Sequence, residues 1–167
     1  MIVEFNMQGP FEVPFLKKDG GQFINGDCAD AFLKKHSALM ARKGVYIFCL
    51  KIASGVIPAY VGKATKSFKQ EAFTNDKLLK YNDALTDYKN DWKPLMYLAV
   101  HPTSKLNGKA VNQLETYLIQ VAALRNPDLK NIQKTKIKLK WSIKGVYNSG
   151  GGQPPKPAKE FKKVMGL

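Results

Sequence analysis

The stretch from Gly44 to Ile52 constrains the fold more than any other part of the chain. It reads Gly-Val-Tyr-Ile-Phe-Cys-Leu-Lys-Ile, an apolar run rich in β-branched and aromatic side chains, which predicts a buried strand. Ala53-Ser54-Gly55 then begins a loop, and a second strand is predicted to start near Ala59. Two such strands around a loop favour an antiparallel hairpin. We therefore expect the rest of the chain to pack around this hairpin.

Hydrophobic periodicity predicts the elements on either side of the hairpin. Residues 1–16 alternate polar and apolar side chains around Gly9-Pro10, which favours two short strands joined by a turn. Helical spacing of apolar residues predicts further helices, and β-rich runs predict further strands. The helices are expected at 27–40 (with Asp27 as N-cap), 68–73, from Thr74 or Asn75 to Tyr88, 110–124 and in the last ten residues, and the strands at 94–100 and 141–147. This order predicts an α/β protein of the α+β sandwich type, in which a small antiparallel sheet is flanked by helices.

The charge of the chain favours a polyanionic partner. Lysine and arginine total 27 against 13 acidic residues, which gives a net charge of +14. An excess of this size repels itself, so nucleic acid is a better explanation than a solvated lysine coat. Only Arg42 and Arg125 are arginines. Lysine lacks the bidentate guanidinium fork, so this composition predicts binding to phosphates rather than recognition of base sequence.

The remaining composition favours a protein of the cytoplasm. No stretch approaches the roughly 20 apolar residues of a membrane span, and the N-terminus lacks the pattern of a signal peptide. Cys28 and Cys49 are far apart in the chain and are expected to be buried free thiols, with neither a disulfide nor a zinc cluster. We expect no membrane partner, and the oligomeric state is left open.

Glu115 stands out on the predicted helix 110–124. On a helical wheel it falls inside an apolar stripe formed by Val111, Leu114, Leu118, Val121 and Ala122. A buried carboxylate needs a cation, a hydrogen-bond partner or a water-filled cleft. Two explanations are open, a divalent metal ligand and an ion pair with a lysine at the edge of the core.

The hairpin also carries a motif. It contains Gly44-Val45-Tyr46, then thirteen residues, then Tyr60-Val61-Gly62. With valine replacing isoleucine twice, this resembles the signature of the GIY-YIG nucleases, and Glu115 followed by Asn131 resembles that family's metal-binding glutamate and later asparagine. The resemblance covers roughly residues 43–132, which we take as the nuclease-like core. Residues 1–42 are then an N-terminal extension that packs on the core, and residues 133–167 form a C-terminal strand, a Gly/Pro-rich loop and a basic tail.

The resemblance implies a divalent-metal-dependent DNA endonuclease. Glu115 would hold a single Mg²⁺ or Mn²⁺ ion. Of Tyr46 and Tyr60, one phenol would activate or position the attacking water and the other would orient the phosphate. We assign the attacking water to Tyr46, and the scissile phosphate to Tyr60 together with a lysine. A tyrosine with a pKa of about 10 needs help from a lysine, a phosphate or a metal to act as a base. Gly44, Gly62 and Asn131 would support the site, as would Tyr81, for which a position in the core is the alternative. DNA is favoured over RNA as the substrate.

The chain departs from the family at one cationic position. Family members usually carry an arginine about ten residues beyond the second tyrosine, and Gln70 stands in that register here. The lysines that follow the motif are candidates to replace it, Lys69 first and then Lys66 and Lys63. Lys77 and Lys80 on the next helix are candidates to bind nucleic acid or to reach the same phosphate.

The missing arginine also supports a rival interpretation. In it the fold is retained as a catalytically inactive module that binds nucleic acid or a protein without cutting. A third interpretation is a lysine-rich, nucleic-acid-associated protein such as a ribosome-linked factor. This last one predicts no structured cleft that joins Tyr46, Tyr60 and Glu115.

Overall fold

The computed structural model describes residues 2–53, 55–87, 92–131, 133 and 152–165. The chain divides into two compact units, residues 1–135 and residues 136–167. The first unit contains, in chain order, β1 (Asn6–Glu12), β2 (Leu16–Lys18), β3 (Gly21–Phe23), α1 (Gly26–Lys35), α2 (Ser37–Met40), β4 (Gly44–Ile52), β5 (Gly55–Ala64), α3 (Phe68–Glu71), α4 (Asn75–Asp87), β6 (Lys93–Val100) and α5 (Gly108–Arg125). The second unit contains α6 (Lys156–Met165).

A four-stranded antiparallel sheet organises the first unit. Its strand order is β1-β6-β4-β5, so β4 and β6 are central and β5 is an edge strand. β4 and β5 form the predicted antiparallel hairpin, and its register places Tyr46 opposite Gly62. Helices pack against this sheet, which confirms the predicted α+β class with a small antiparallel sheet flanked by helices. The N-terminal segment is part of the same unit, because β1 pairs with β6.

Each face of the sheet carries its own hydrophobic core. Side chains alternate along a strand, and in β4 Tyr46 and Phe48 enter one core while Val45 enters the other. The first core is closed by α1 to α4 and includes Phe32, Phe68, Tyr81 and Ala84. The second is closed by α5 through Val111, Ile119 and Ala122. Because β4 is covered on both faces, its sequence is continuously apolar rather than alternating.

For the N-terminal segment one expectation is wrong and one element was not foreseen. Residues 6–12 form one strand rather than two strands around a turn, and a register shift between Gln8 and Phe11 accommodates Gly9-Pro10 as an irregularity in the ladder. The hairpin β2–β3 was not predicted. Its turn contains Asp19 and Gly20, which have φ angles of 51° and 78°. Asp-Gly is a typical dipeptide of such turns, so the signal was present in the sequence.

The helix expected at 27–40 is interrupted. α1 ends at Lys35, and α2 begins at Ser37 after a non-helical His36. The N-cap of α1 is Asn25 rather than Asp27, because the Asn25 side chain accepts a hydrogen bond from the Cys28 backbone N–H at 2.9 Å. Both cysteines are buried and free, as expected.

The C-terminal predictions are tested only in part. The strand expected at 141–147 lies outside the described residues. The basic tail forms a helix, α6, which begins two residues before the last ten residues of the chain. In the described part of the chain, no helix combines the length and the apolar character needed to cross a bilayer.

Candidate functional site

Close packing explains the two glycines of the hairpin motif. Gly44 has a φ of +149°, and a Cβ atom there would collide with the backbone carbonyl of Ala99 on β6. A Cβ atom at Gly62 would overlap the ring end and hydroxyl of Tyr46, which lies across from it. The tyrosine therefore lies directly over the Gly62 backbone. The glycines are needed to let β6 and this ring approach the hairpin.

Tyr46 is a buried, neutral hydrogen-bond donor. Its side chain is fully buried, and its hydroxyl donates to the backbone carbonyl of Glu71 at 3.3 Å. Burial raises the pKa of Tyr46 far above its usual value, and the negative charges that Tyr60, Glu71 and Glu115 can carry raise it further. A phenol in this state holds its proton. The expected role of activating water is therefore chemically disfavoured for Tyr46.

Tyr60 is more accessible and has a cation beside it. Its ring centroid is 6.3 Å from that of Tyr46 and 5.5 Å from the ammonium of Lys77. Burial raises the pKa of Tyr60, while Lys77 opposes this through its charge and a hydrogen bond. Lys77 is held in turn by Asp76, whose carboxylate lies 2.7 Å from the ammonium. α4 therefore delivers a positioned positive charge to the Tyr60 hydroxyl.

Glu71 fixes the loop between β5 and α3. Its Oε1 accepts hydrogen bonds from the backbone N–H of Thr65 at 2.7 Å and from that of Lys66, and it also accepts one from the Thr65 hydroxyl at 3.2 Å. The same residue accepts the Tyr46 hydroxyl through its backbone carbonyl. No pattern in the sequence distinguishes Glu71. The loop conformation that orients its carboxylate is set by tertiary packing rather than by a local pattern.

Glu115 lies on the buried face of α5. That face is formed by Val111, Glu115, Ile119 and Ala122, and Glu115 is 9% exposed. The predicted stripe was correct about Glu115 but wrong about Val121, which is 40% exposed because the helix is rotated towards Ile119. The Lys63 ammonium is 3.5 Å from Glu115 Oε2 and donates to Asn112 Oδ1 at 2.6 Å. An ion pair with a lysine, one of the two explanations considered for Glu115, is thus present.

These side chains meet in one cleft around the edge of β5. The tyrosines come from the α4 side of the sheet and Glu115 from the α5 side. The inner part of the cleft has a volume of about 320 Å³ and is lined by Tyr46, Tyr60, Gly62, Lys63, Glu71, Thr74, Lys77 and Glu115. An adjoining cavity of about 420 Å³ shares four of these residues and adds Lys80, Ile119, Asn131 and Gln133. The expected convergence of Tyr46, Tyr60 and Glu115 on one concave surface is therefore observed.

The candidate lysines divide into two groups. Lys63, Lys77 and Lys80 line the cleft. Lys66 and Lys69 are exposed and are not among the residues that line these two cavities, and the same holds for Gln70. The structure thus brings α4 lysines to the tyrosines, whereas Lys69, the first candidate from the sequence, lies away from them.

Tyr81 and Asn131 stabilise the surroundings of the site, Tyr81 by packing in the core and Asn131 by bonding the backbone of β5. Tyr81 is fully buried, stacks on Phe48 with ring centroids 4.2 Å apart and donates to the Ala72 carbonyl at 2.6 Å, as the core alternative expected. The Asn131 side chain pairs with both backbone groups of Val61, donating to its carbonyl at 2.7 Å and accepting from its N–H at 2.8 Å. This satisfies part of the free edge of β5 between Tyr60 and Gly62.

The residues of the cleft are compatible with one hard cation. Among the described residues there is no group of three or more His, Cys, Asp or Glu side chains that could hold a metal ion. Asn112 is exposed and does not line these two cavities, but its Oδ1 and Glu115 Oε2 contact the same Lys63 ammonium. The two residues nevertheless offer two oxygens, and Mg²⁺ commonly uses one or two protein oxygens and fills its other positions with water and phosphate. Asn112 was missed in the sequence, although it lies one helical turn before Glu115.

Comparisons of the chain with protein-family models, with curated proteins and with solved structures found no match. The resemblance to the GIY-YIG nucleases therefore depends on the quoted residues alone.

Proposed function

We propose that this protein is a divalent-metal-dependent endonuclease that hydrolyses phosphodiester bonds in DNA. The observation that carries the proposal is the single cleft in which Tyr46, Tyr60 and Glu115 meet beside lysine ammonium groups. Enzyme sites are typically concave and combine a few convergent polar groups with perturbed pKa values. The net charge of +14 supports a polyanionic substrate. The choice of DNA over RNA follows from the GIY-YIG resemblance, and a cytoplasmic location is part of the same proposal.

Tyr60 and Lys77 are the best placed groups to bind the scissile phosphate. Tyr60 lines both cavities of the cleft and has the Lys77 ammonium beside it. Together they offer a hydroxyl and a fixed positive charge to non-bridging phosphate oxygens, where preorganised donors lower the barrier most. We assign to Lys77 the role that an arginine has in the family, in place of Lys69.

Tyr46 is assigned a positioning role. Its hydroxyl is bonded to the Glu71 carbonyl and its pKa is raised, so it does not accept a proton from water at neutral pH. It connects the hairpin to α3 and lines the cleft beside Tyr60. Its replacement should therefore affect activity through the geometry of the cleft.

Glu115 would hold the metal ion, with Asn112 beside it. When bound there, Mg²⁺ or Mn²⁺ supplies Lewis-acid polarisation of the phosphate and stabilises the leaving oxygen. The chain's own contribution is a carboxylate that is kept on an apolar helix face and therefore attracts a cation strongly.

A second function is favoured by one specific observation. The Lys63 ammonium already neutralises Glu115. A binding module that holds nucleic acid without cutting it would need no metal to keep this carboxylate in place.

The two functions are separated by one experiment. Purified protein is incubated with plasmid, single-stranded DNA and RNA in Mg²⁺ or Mn²⁺, and a chelator serves as the metal-free control. The same assay is run on the variant Glu115→Gln and on Lys34→Met, a control substitution at an exposed position. The nuclease proposal expects metal-dependent cutting of DNA that Glu115→Gln abolishes while retaining DNA binding. Binding without cutting in any metal would favour the module, and undiminished cutting by Glu115→Gln would remove Glu115 from the mechanism.

A further inference from the structure

A lysine ammonium contacts the two oxygens that a divalent cation would use. Lys63 Nζ is 2.6 Å from Asn112 Oδ1 and 3.5 Å from Glu115 Oε2. Asn112 and Glu115 are three residues apart on α5, a spacing that places two side chains on the same side of a helix. Amide and carboxylate oxygens are hard ligands of the kind that Mg²⁺ and Mn²⁺ prefer.

We propose that Lys63 and a divalent cation compete for the oxygens of Asn112 and Glu115. In this scheme Asn112 is a second ligand of the ion, and Lys63 is an internal counter-ion that the ion displaces. The inference rests on the proposed function in so far as that function brings a divalent cation to Glu115.

Burial gives Lys63 its role when no divalent ion is bound. Glu115 is 9% exposed and lies between Val111 and Ile119 on the apolar face of α5. A carboxylate in such a position is costly without a compensating charge, and the ammonium provides one. Lys63 thereby places a counter-charge beside the Glu115 carboxylate in the metal-free protein.

Electrostatic repulsion prevents the Lys63 ammonium and a divalent ion from occupying this site together. A divalent ion at the same oxygens would repel the ammonium at a distance of a few ångströms. The Lys63 side chain is 34% exposed and lines the cleft, so its flexible stem has room to carry the charge away from Glu115. The ion must therefore displace Lys63 in order to bind, which weakens its affinity.

The test is Mn²⁺ binding to the full chain in the absence of nucleic acid. Free Mn²⁺ is measured by electron paramagnetic resonance and the heat of binding by titration calorimetry. Lys63→Met removes the competing charge and should tighten binding by about tenfold or more, which corresponds to about 1.4 kcal/mol. Lys34→Met, which removes the same charge from an exposed position on α1, should leave the affinity within about twofold of the parent. Glu115→Gln should abolish binding.

Asn112 is tested in the Lys63→Met background, because Asn112→Ala alone would also release the lysine. Adding Asn112→Ala should weaken Mn²⁺ binding several-fold relative to Lys63→Met. Circular dichroism confirms that each variant is folded. Equal affinities with and without Asn112→Ala would exclude Asn112 as a ligand.

The inference and the proposed function fail in different ways. An unchanged or weaker Mn²⁺ affinity in folded Lys63→Met overturns the competition, even if the parent cuts DNA. The expected shifts in Mn²⁺ affinity without cutting of any nucleic acid leave the competition intact and refute the nuclease. Absence of Mn²⁺ binding in the parent and in Lys63→Met alike overturns the inference.

Discussion

Replacing Gly62 by alanine tests the packing of the two hairpin motifs directly. The added methyl group would overlap Cζ, Cε2 and the hydroxyl oxygen of Tyr46. Tyr46 has little freedom to move, since it is fully buried and its ring packs edge-on against Phe68 with centroids 6.5 Å apart. Its hydroxyl is also held by the Glu71 carbonyl. The clash must therefore be relieved by shifting the backbone of the hairpin or by breaking these contacts.

The expected cost follows from this geometry. Adding a methylene-sized group to a well-packed core costs about 1–3 kcal/mol. Overlap with two ring atoms and the hydroxyl oxygen of a tyrosine whose hydroxyl is hydrogen-bonded places Gly62→Ala near the upper limit, at about 3 kcal/mol. Gly26→Ala is the matched control, because a Cβ atom there meets nothing within 4 Å. That change should stay within about 0.5 kcal/mol.

A double-mutant cycle identifies Tyr46 as the partner. Urea unfolding followed by circular dichroism gives the free energy of unfolding of Gly62→Ala, Tyr46→Leu and the double variant. Leucine lacks the overlapping atoms, so adding Gly62→Ala to Tyr46→Leu should cost little, and the coupling should be about 2–3 kcal/mol. An equal cost of Gly62→Ala in both backgrounds would refute the reasoning, as would tolerance equal to that of Gly26→Ala.

Four further predictions follow from the site and the charge. DNA affinity measured by fluorescence anisotropy should fall steeply with salt, with a log–log slope of about −0.9 for each phosphate contact, and a flat profile would contradict the electrostatic argument. Lys77→Met should slow cleavage about a hundredfold or more while weakening binding little, and Lys34→Met should do neither. Asn131→Ala should lower the free energy of unfolding in urea by about 1–3 kcal/mol, because both backbone groups of Val61 lose their partner. The fold raises the pKa of Tyr46, so this residue contributes stability that is complete below its unfolded pKa of about 10 and is lost as pH rises beyond that value. Tyr46→Phe should therefore flatten the fall in unfolding free energy that is measured from pH 8 to 11.

Helices and strands that have a buried face could be predicted from the sequence. β4 was predicted with its observed limits, because an apolar β-branched run of this length has few alternatives. α4 and α5 were also predicted, with ends that differ by at most two residues from those observed where the structure describes them. Glu115 was identified because a charged residue inside an apolar helical face is conspicuous in any sequence.

The errors arose where tertiary contacts override local patterns. Gly9-Pro10 looks like a turn, but pairing with β6 holds it within a continuous strand as an irregularity. The predicted buried face of α5 included Val121, whereas the observed face includes Ile119. Both residues are apolar, and only packing against the sheet distinguishes them. Asn112 and Glu71 carry no sequence signal of their own. Their importance depends on which atoms the fold brings near them.

In the proposed nuclease, the cation that family members supply with an arginine would come from a different position in the chain. Counting along the chain assigns its role to a residue of α3, where Gln70 and Lys69 stand, but both are exposed and lie outside the lining of the cleft. A phosphate bound at Tyr60 requires a positive charge close to its oxygens, whichever residue of the chain supplies that charge. In this proposal Lys77 would meet that need from α4, since its ammonium lies beside Tyr60 and pairs with Asp76. A guanidinium would add a second bonded contact, but a positioned ammonium supplies the same sign of charge to a non-bridging oxygen. The observation that favours the binding module over the nuclease is therefore the Lys63 ion pair at Glu115 rather than the presence of Gln70.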